Sequence, residues 1–241
     1  MGSFSCDLHI HSTLSPCGSL DMSPREIVEQ ALQVGLNVIA VTDHNMAENS
    51  YYVCQAAKKY DLIALCGMEL QTIEEIHLLA IFDDFETAFE FQNHIYGLLP
   101  DIENDSNYFG DQVVVNTSDE ILRCEERLLL NSVQISINDA VKWIKSHGGL
   151  AIPSHIDSPT FSILSQLGFV PDDIPFDALE VCRMDKVKDL LPLIMLKHVP
   201  FVTFSDAHYP ADIGRRRTLL DMNEATCQAI AKALEALGSE V

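Results

Sequence analysis

Short apolar runs alternate with amphipathic helical patterns along most of the chain, and imidazole or carboxylate side chains stand where those runs end. This pairing constrains the fold more than any other feature. Strand–helix units build a mostly parallel sheet, and parallel strands deliver their ends to one face. Phe4 to His9 reads as the first strand. Ser23 then caps a helix that opens on Pro24, turns Ile27, Val28, Ala31 and Leu32 inward and stops at Gly35. Further strands are expected at 37–42, 62–69, 76–82, 150–154, 177–182 and 201–205. Further helices are expected at 49–59, from the cap Ser136 to Gly148, and from a cap at Asn223 to Gly238. After Asp83 the alternation breaks. Phe85, Ala88, Phe89, Gln92 and Tyr96 suggest one helix before a polar, turn-rich stretch. Residues 1–82 and 136–241 therefore read as an α/β barrel, and 83–135 as a mainly helical insertion. An open doubly wound sheet is the competing architecture, but no GxGxxG follows the first strand.

Charge narrows the partners. Fifteen basic residues against 36 acidic ones leave a net charge of −21, which repels a long polyanion such as nucleic acid. No apolar run approaches the roughly 18 residues of a bilayer span, and no signal peptide precedes Asp7, so the sequence suggests a cytoplasmic protein without a membrane partner. Seven cysteines, with no CxxC among them, argue against a disulfide framework.

The chemistry lies at the strand ends. His9 and His11 close the first strand, Asp43 and His44 follow the second, and Glu69 ends the third. His155 follows the strand ending at Ser154, and Asp206 and His208 follow the strand ending at Ser205. In a barrel these positions become neighbours. Imidazoles and carboxylates crowded into one pocket suffer desolvation and mutual repulsion unless cations bind among them. Glu69 can bridge two ions and Asp206 adds a second anionic ligand. The set suits two divalent ions and allows three, with zinc, manganese and iron all compatible with these donors. Asp7 and Asp43 are expected to orient ligand imidazoles. His94, His147 and His198 read as structural, the latter two closing helices.

Asp7-Leu-His9-Ile-His11-Ser12, Thr42-Asp43-His44, Gly67-Met-Glu69 with His77, Ser154-His155 and Ser205-Asp206-Ala-His208 occur in that order between residues 6 and 209. Together they resemble the PHP (polymerase and histidinol phosphatase) family, in its general phosphoesterase branch. The resemblance implies a distorted (β/α)7 TIM-like barrel with a trinuclear metal site that hydrolyses phosphoesters. It would place His9, His11, Glu69 and Asp206 on the first ion, Glu69, His77 and His155 on the second, and His44 with His208 on the third. One loop departs from the pattern. Where the family commonly carries His or Asp, Ser15-Pro16-Cys17-Gly18 offers Cys17, a competent and softer ligand beside a divalent ion. The alternatives are an inert thiol at Cys17 or a reach by Asp21.

The expected activity is hydrolysis of a small phosphomonoester or nucleotide, with oligonucleotide ends as a further option, by a hydroxide bridging the ions. Asp206 would orient that nucleophile, His208 or a water would protonate the leaving group, and Arg183 and Arg215 would contact phosphate. Arg215, Arg216 and Arg217 form the densest basic run, although ion pairing with the acidic surface explains them equally well. Two other classes compete. An amidohydrolase-type C–N hydrolase also opens with HxH, and a non-catalytic binding module would keep metals for stability alone.

Overall fold

A computed structural model describes residues 2–196 and 198–238. In chain order its elements are β1 (Gly2–Ile10), α1 (Pro24–Gln33), β2 (Val38–Val41), α2 (Glu48–Ala57), β3 (Ile63–Gln71), β4 (His77–Phe82), α3 (Phe85–Leu98), α4 (Ser106–Phe109), β5 (Val113–Val115), β6 (Ile121–Cys124), α5 (Ile137–Ser146), β7 (Leu150–Pro153), α6 (Ile163–Leu167), β8 (Leu179–Glu180), α7 (Val187–Leu190), β9 (Phe201–Val202), β10 (Thr218–Met222) and α8 (Cys227–Gly238). Six strands form one sheet in the order β10-β1-β2-β3-β4-β7, and β8 pairs with β9. Backbone bonds from Asp177 N to Ala151 O and from Ile156 N to Glu180 O tie β7 to β8, and His11 N donates to Ala207 O at 2.9 Å. The chain beyond β9 thereby returns to β1, and seven strands curl into a distorted barrel of the expected type.

The sheet is less parallel than the alternation suggests. β1, β2 and β3 run parallel, but β4 is antiparallel to both β3 and β7, and β10 is antiparallel to β1. The short turn at 72–75 cannot carry a crossover, so β3 and β4 pair as a hairpin. β10 has no counterpart in the expected strand set. Its Leu219 faces solvent while Leu220 and Met222 are buried, a short alternation that composition alone does not mark.

Side-chain phase along the strands separates core from site. Cys6, Leu8, Val38, Ala40, Leu65, Leu79, Ile81, Leu150, Ile152, Ala178, Val202 and Phe204 share one buried cluster, the barrel interior. Each such Leu, Ile or Phe removed from water contributes about 1.5–3 kcal/mol. The opposite faces pack on helices: Ile39 and Val41 meet Ile27, Val28 and Ala31 of α1, and Met68 and Leu78 belong to the cluster that holds Phe91 of α3 and Ile144 of α5. Ser23 and Ser136 cap α1 and α5 through side-chain bonds from Glu26 N and Asp139 N. The last helix begins four residues after the anticipated cap Asn223. Thr226 Oγ1 accepts from Ala229 N instead. His147 closes α5 and stacks on Trp143, whereas His198 lies in an exposed loop and closes no helix.

The stretch 83–135 carries the hairpin β5–β6 as well as α3 and α4, because Val113, Val114 and Val115 are β-branched and pair with 121–124. Ala88, Phe91, Val114 and Leu129 enter the same apolar cluster as β3 and β4. Its tip also braces the loop after β1. A Cβ on Gly110, whose φ is +104°, would collide with the carbonyl of Pro16. Among the described residues no helix is long and apolar enough to cross a membrane.

Candidate metal centre

The apolar interior ends in a polar layer at one mouth, and strand phase explains who belongs to it. Glu69 is in phase with Leu65, His77 with Leu79, Glu180 with Ala178, and Asp206 with Phe204. In β1 a register shift between Asp7 and Ile10 reverses the phase, so that Ile10 packs outward on α1 and both His9 and His11 turn inward. The antiparallel course of β4 brings its first residue, His77, to the mouth where the strands that flank it, β3 and β7, end. His155 and Asp206 take left-handed backbone conformations, with φ of +30° and +51°. Such strain in non-glycine residues collects where function over-determines the chain.

Glu69 is the hub. Its Oε1 lies 3.2 Å from His9 Nε2, 3.2 Å from His77 Nδ1 and 3.4 Å from His155 Nε2. Its Oε2 lies 3.3 Å from His44 Nδ1 and 3.5 Å from His11 Nε2. Asp206 Oδ1 approaches His11 Nε2 at 3.3 Å and His9 Nε2 at 3.4 Å. Yet Glu69 Oε1, His44 Nδ1 and His77 Nδ1 are buried without a hydrogen-bond partner. An orphaned buried polar atom costs about 1–3 kcal/mol, and several lone pairs aimed at one space are what a divalent cation satisfies. Donor atoms of His9, His11 and Asp206 lie within 4.8 Å of one another, as do those of His44, Glu69 and His77, and those of His11, Cys17, His44 and His208. The donor set therefore fits metal ions.

The charges agree with that fit. Burial opposes protonation of His9, but Glu180, Glu69 and Asp206 outweigh it and hold its pKa well above the usual range. Burial pushes the other way on Glu69, yet His77 and His9 hold its carboxyl well below its ordinary value. His44 and His208 are depressed by burial and by the neighbouring His11, His208 to about 4, which leaves both neutral with a lone pair to offer.

Outer contacts fix the imidazoles. Glu180 is 2.9 Å from His9 Nδ1 and also accepts from His155 N. His11 Nδ1 meets Ser15 Oγ at 2.9 Å, and that hydroxyl donates to Asp43. Gln71 Oε1 reaches His77 Nε2 at 3.2 Å, and the Phe161 ring stacks on the His77 imidazole at 4.9 Å. Removing such a partner typically costs 10–100-fold in metal affinity. Glu180→Ala is accordingly expected to weaken metal binding by about 10–100-fold while circular dichroism stays native, read by competition against a chelating dye. An unchanged affinity would deny Glu180 this role.

The sequence-derived ligands His9, His11, Cys17, His44, Glu69, His77, His155, Asp206 and His208 are all brought to this mouth. Cys17 joins the group around His44 and His208, whereas Asp21 stays on the surface, bonded to Ser19. The arginines do not reach the cluster. Arg183 pairs with Asp185, and Arg215 binds Asp212 and the Ser205 carbonyl. Asp7 touches no imidazole either. It accepts from Ser205 N and Gly214 N and so anchors the loop that presents Asp206. Ser15 and Gln71 were not anticipated, since neither residue type signals a site without its partner in view.

Comparison with known proteins decides the family. The profile of the PHP domain matches residues 7–152, and that of a PHP-associated segment matches 194–237. The chain belongs to the PHP domain family. Homologues in this family are metal-dependent phosphoesterases. This PHP domain is 24% identical over 240 residues to a protein of Deinococcus radiodurans named "Probable histidinol-phosphatase", covering 88% of this chain and 89% of that one. It is 36% identical over 64 residues to the error-prone DNA polymerase of Nocardia farcinica, of whose length it spans 6%. The lesion-specific endonuclease Q of Pyrococcus furiosus superposes on 98% of the chain with a TM-score of 0.67 at 20% identity, and the chain spans 56% of that endonuclease. A Bifidobacterium adolescentis protein classed as a metal-dependent phosphoesterase superposes with a TM-score of 0.59 at 17% identity, over 97% of this chain and 96% of that one.

Proposed function

We propose that this PHP domain hydrolyses a small phosphomonoester or nucleotide at a centre of two or three divalent cations. The observation that carries the reading is the ring of buried lone pairs around Glu69 that have no hydrogen-bond partner. His9, His11, Glu69 and Asp206 would hold one ion, Glu69, His77 and His155 a second, and His44, His208 and Cys17 a third. Bound there, the cations would lower the pKa of water towards about 7 and neutralise phosphoryl oxygens. The chain's own residues supply the rest. Asp206, partly open to the mouth, would orient the attacking water, and a water held beside His208 would protonate the leaving oxygen. A net charge of −21 favours a small anion over duplex DNA, because a small phosphoester pays the repulsion of a few charges and a polymer that of many.

Protein purified without chelators is expected to carry manganese, zinc or iron by elemental analysis. It should release phosphate from a panel of monoesters and nucleotides, lose that activity on dialysis against EDTA and regain it with added metal. Cleavage confined to oligonucleotides or to a duplex with an abasic site would move the substrate class to nucleic acid. Release of ammonia or amine instead would establish the C–N hydrolase reading, and a metal-loaded protein inert on every substrate would leave a binding module.

A further inference from the structure

On the barrel flank away from the metal ligands, Cys54 of α2 and Cys66 of β3 bring their sulfurs within 3.1 Å of each other. Among the described residues they are the one pair of thiols in contact. A disulfide needs a sulfur separation of about 2.05 Å, so rotation about the two side chains and an approach of roughly 1 Å close the gap. The pair is reachable. Both cysteines line a surface cavity of about 370 Å³, together with Lys58, Asp83, Asp84 and Phe85. The S–H of Cys54 also holds the Cys66 thiol below its ordinary range, which makes Cys66 the better nucleophile of the two.

We propose that Cys54 and Cys66 form a modification site, a dithiol that a hydroperoxide entering this cavity converts to a disulfide joining α2 to β3. The Cys66 thiolate attacks one peroxide oxygen and the O–O bond breaks, leaving a sulfenic acid on Cys66 and one molecule of water or alcohol. The Cys54 sulfur then displaces the sulfenic hydroxyl, forming the S–S bond, and the second water leaves. Two electrons pass from the thiols to the peroxide, and the two thiol protons end in the products. The bond would sit behind the metal centre: β3 carries Glu69, and α2 carries Asn49, whose buried amide donates to Ser12 and Thr13 of the loop after β1.

Reduced full-length protein would be treated with graded hydrogen peroxide, alkylated and digested with trypsin, which separates the two cysteines by cutting after Lys58 and Lys59. The expected result is one joined peptide about 2 Da lighter than its two parts, resolved by dithiothreitol, with free thiols falling by two from the 7 of the reduced chain. Cys54→Ser should abolish that species, while Cys17→Ser and Cys182→Ser should keep it. Separate alkylation of both peptides in peroxide-treated wild type, or a crosslink through Cys17, Cys124 or Cys182 in its place, would overturn the proposal. The wild-type map decides the matter even if a variant folds poorly.

Discussion

Glu69→Gln is expected to lower metal affinity by at least about 100-fold, since even outer partners of ligands cost 10–100-fold, and to remove phosphoesterase turnover with it. The carboxylate places its two oxygens among five imidazole nitrogens at 3.2–3.5 Å. Glutamine keeps the volume but replaces one acceptor oxygen with an NH2 group, which donates where the centre needs an anion. The metal-free fold should survive, because the side chain is as large as before and no longer carries a buried charge. Elemental analysis, calorimetric titration with manganese and thermal unfolding separate these effects. A variant that keeps its metal and its turnover would refute Glu69 as the hub, and one that fails to fold would mark the residue as structural.

Asp43→Ala should cost about 3 kcal/mol of stability, which in a chain of this size lowers Tm by roughly 6–12 °C. The carboxylate accepts from Ser12 N at 2.7 Å, Ser12 Oγ at 2.6 Å and Ser15 Oγ at 2.7 Å. Alanine would leave the Ser12 N–H buried without a partner, while the two hydroxyls can turn elsewhere. Burial already raises the Asp43 pKa, so removal of the charge returns part of the loss. The Ser15 hydroxyl would also lose the anchor that holds it against His11 Nδ1. Metal affinity should therefore fall together with Tm, and a loss of stability with affinity intact would separate Asp43 from the centre.

Much of this centre is legible from sequence because a barrel converts strand ends into neighbours, and His9, His11, Glu69 and Asp206 each fall at such an end. His77 is ambiguous for a definite reason. It begins its strand, and only the reversal of β4, a matter of pairing rather than of local pattern, brings it to the same mouth. Glu180 is legible in the same way: it ends its strand and alternates in phase with Ala178, which the barrel buries, so the acid is expected to line the mouth, and there it meets His9. Asp7 shows the opposite limit. Its proximity to His9 in sequence suggests an imidazole partner, but the register shift between Asp7 and Ile10 turns His9 to the other face, and the Asp7 carboxylate turns to the loop at 205–214. The arginines at 215–217 were equally open to ligand and structural readings, and backbone carbonyls of Phe204, Ser205, Gly214 and Val34 take their guanidinium groups.

The bridge between Ile10 and Ala207 spans nearly the whole chain. During synthesis the ribosome releases the first pair of histidines long before it reaches Asp206 and His208, so the group formed by His9, His11 and Asp206 stays incomplete until that segment is made. Capture of an ion by His9, His11 and Asp206 would therefore report that these two distant segments had been made and brought together.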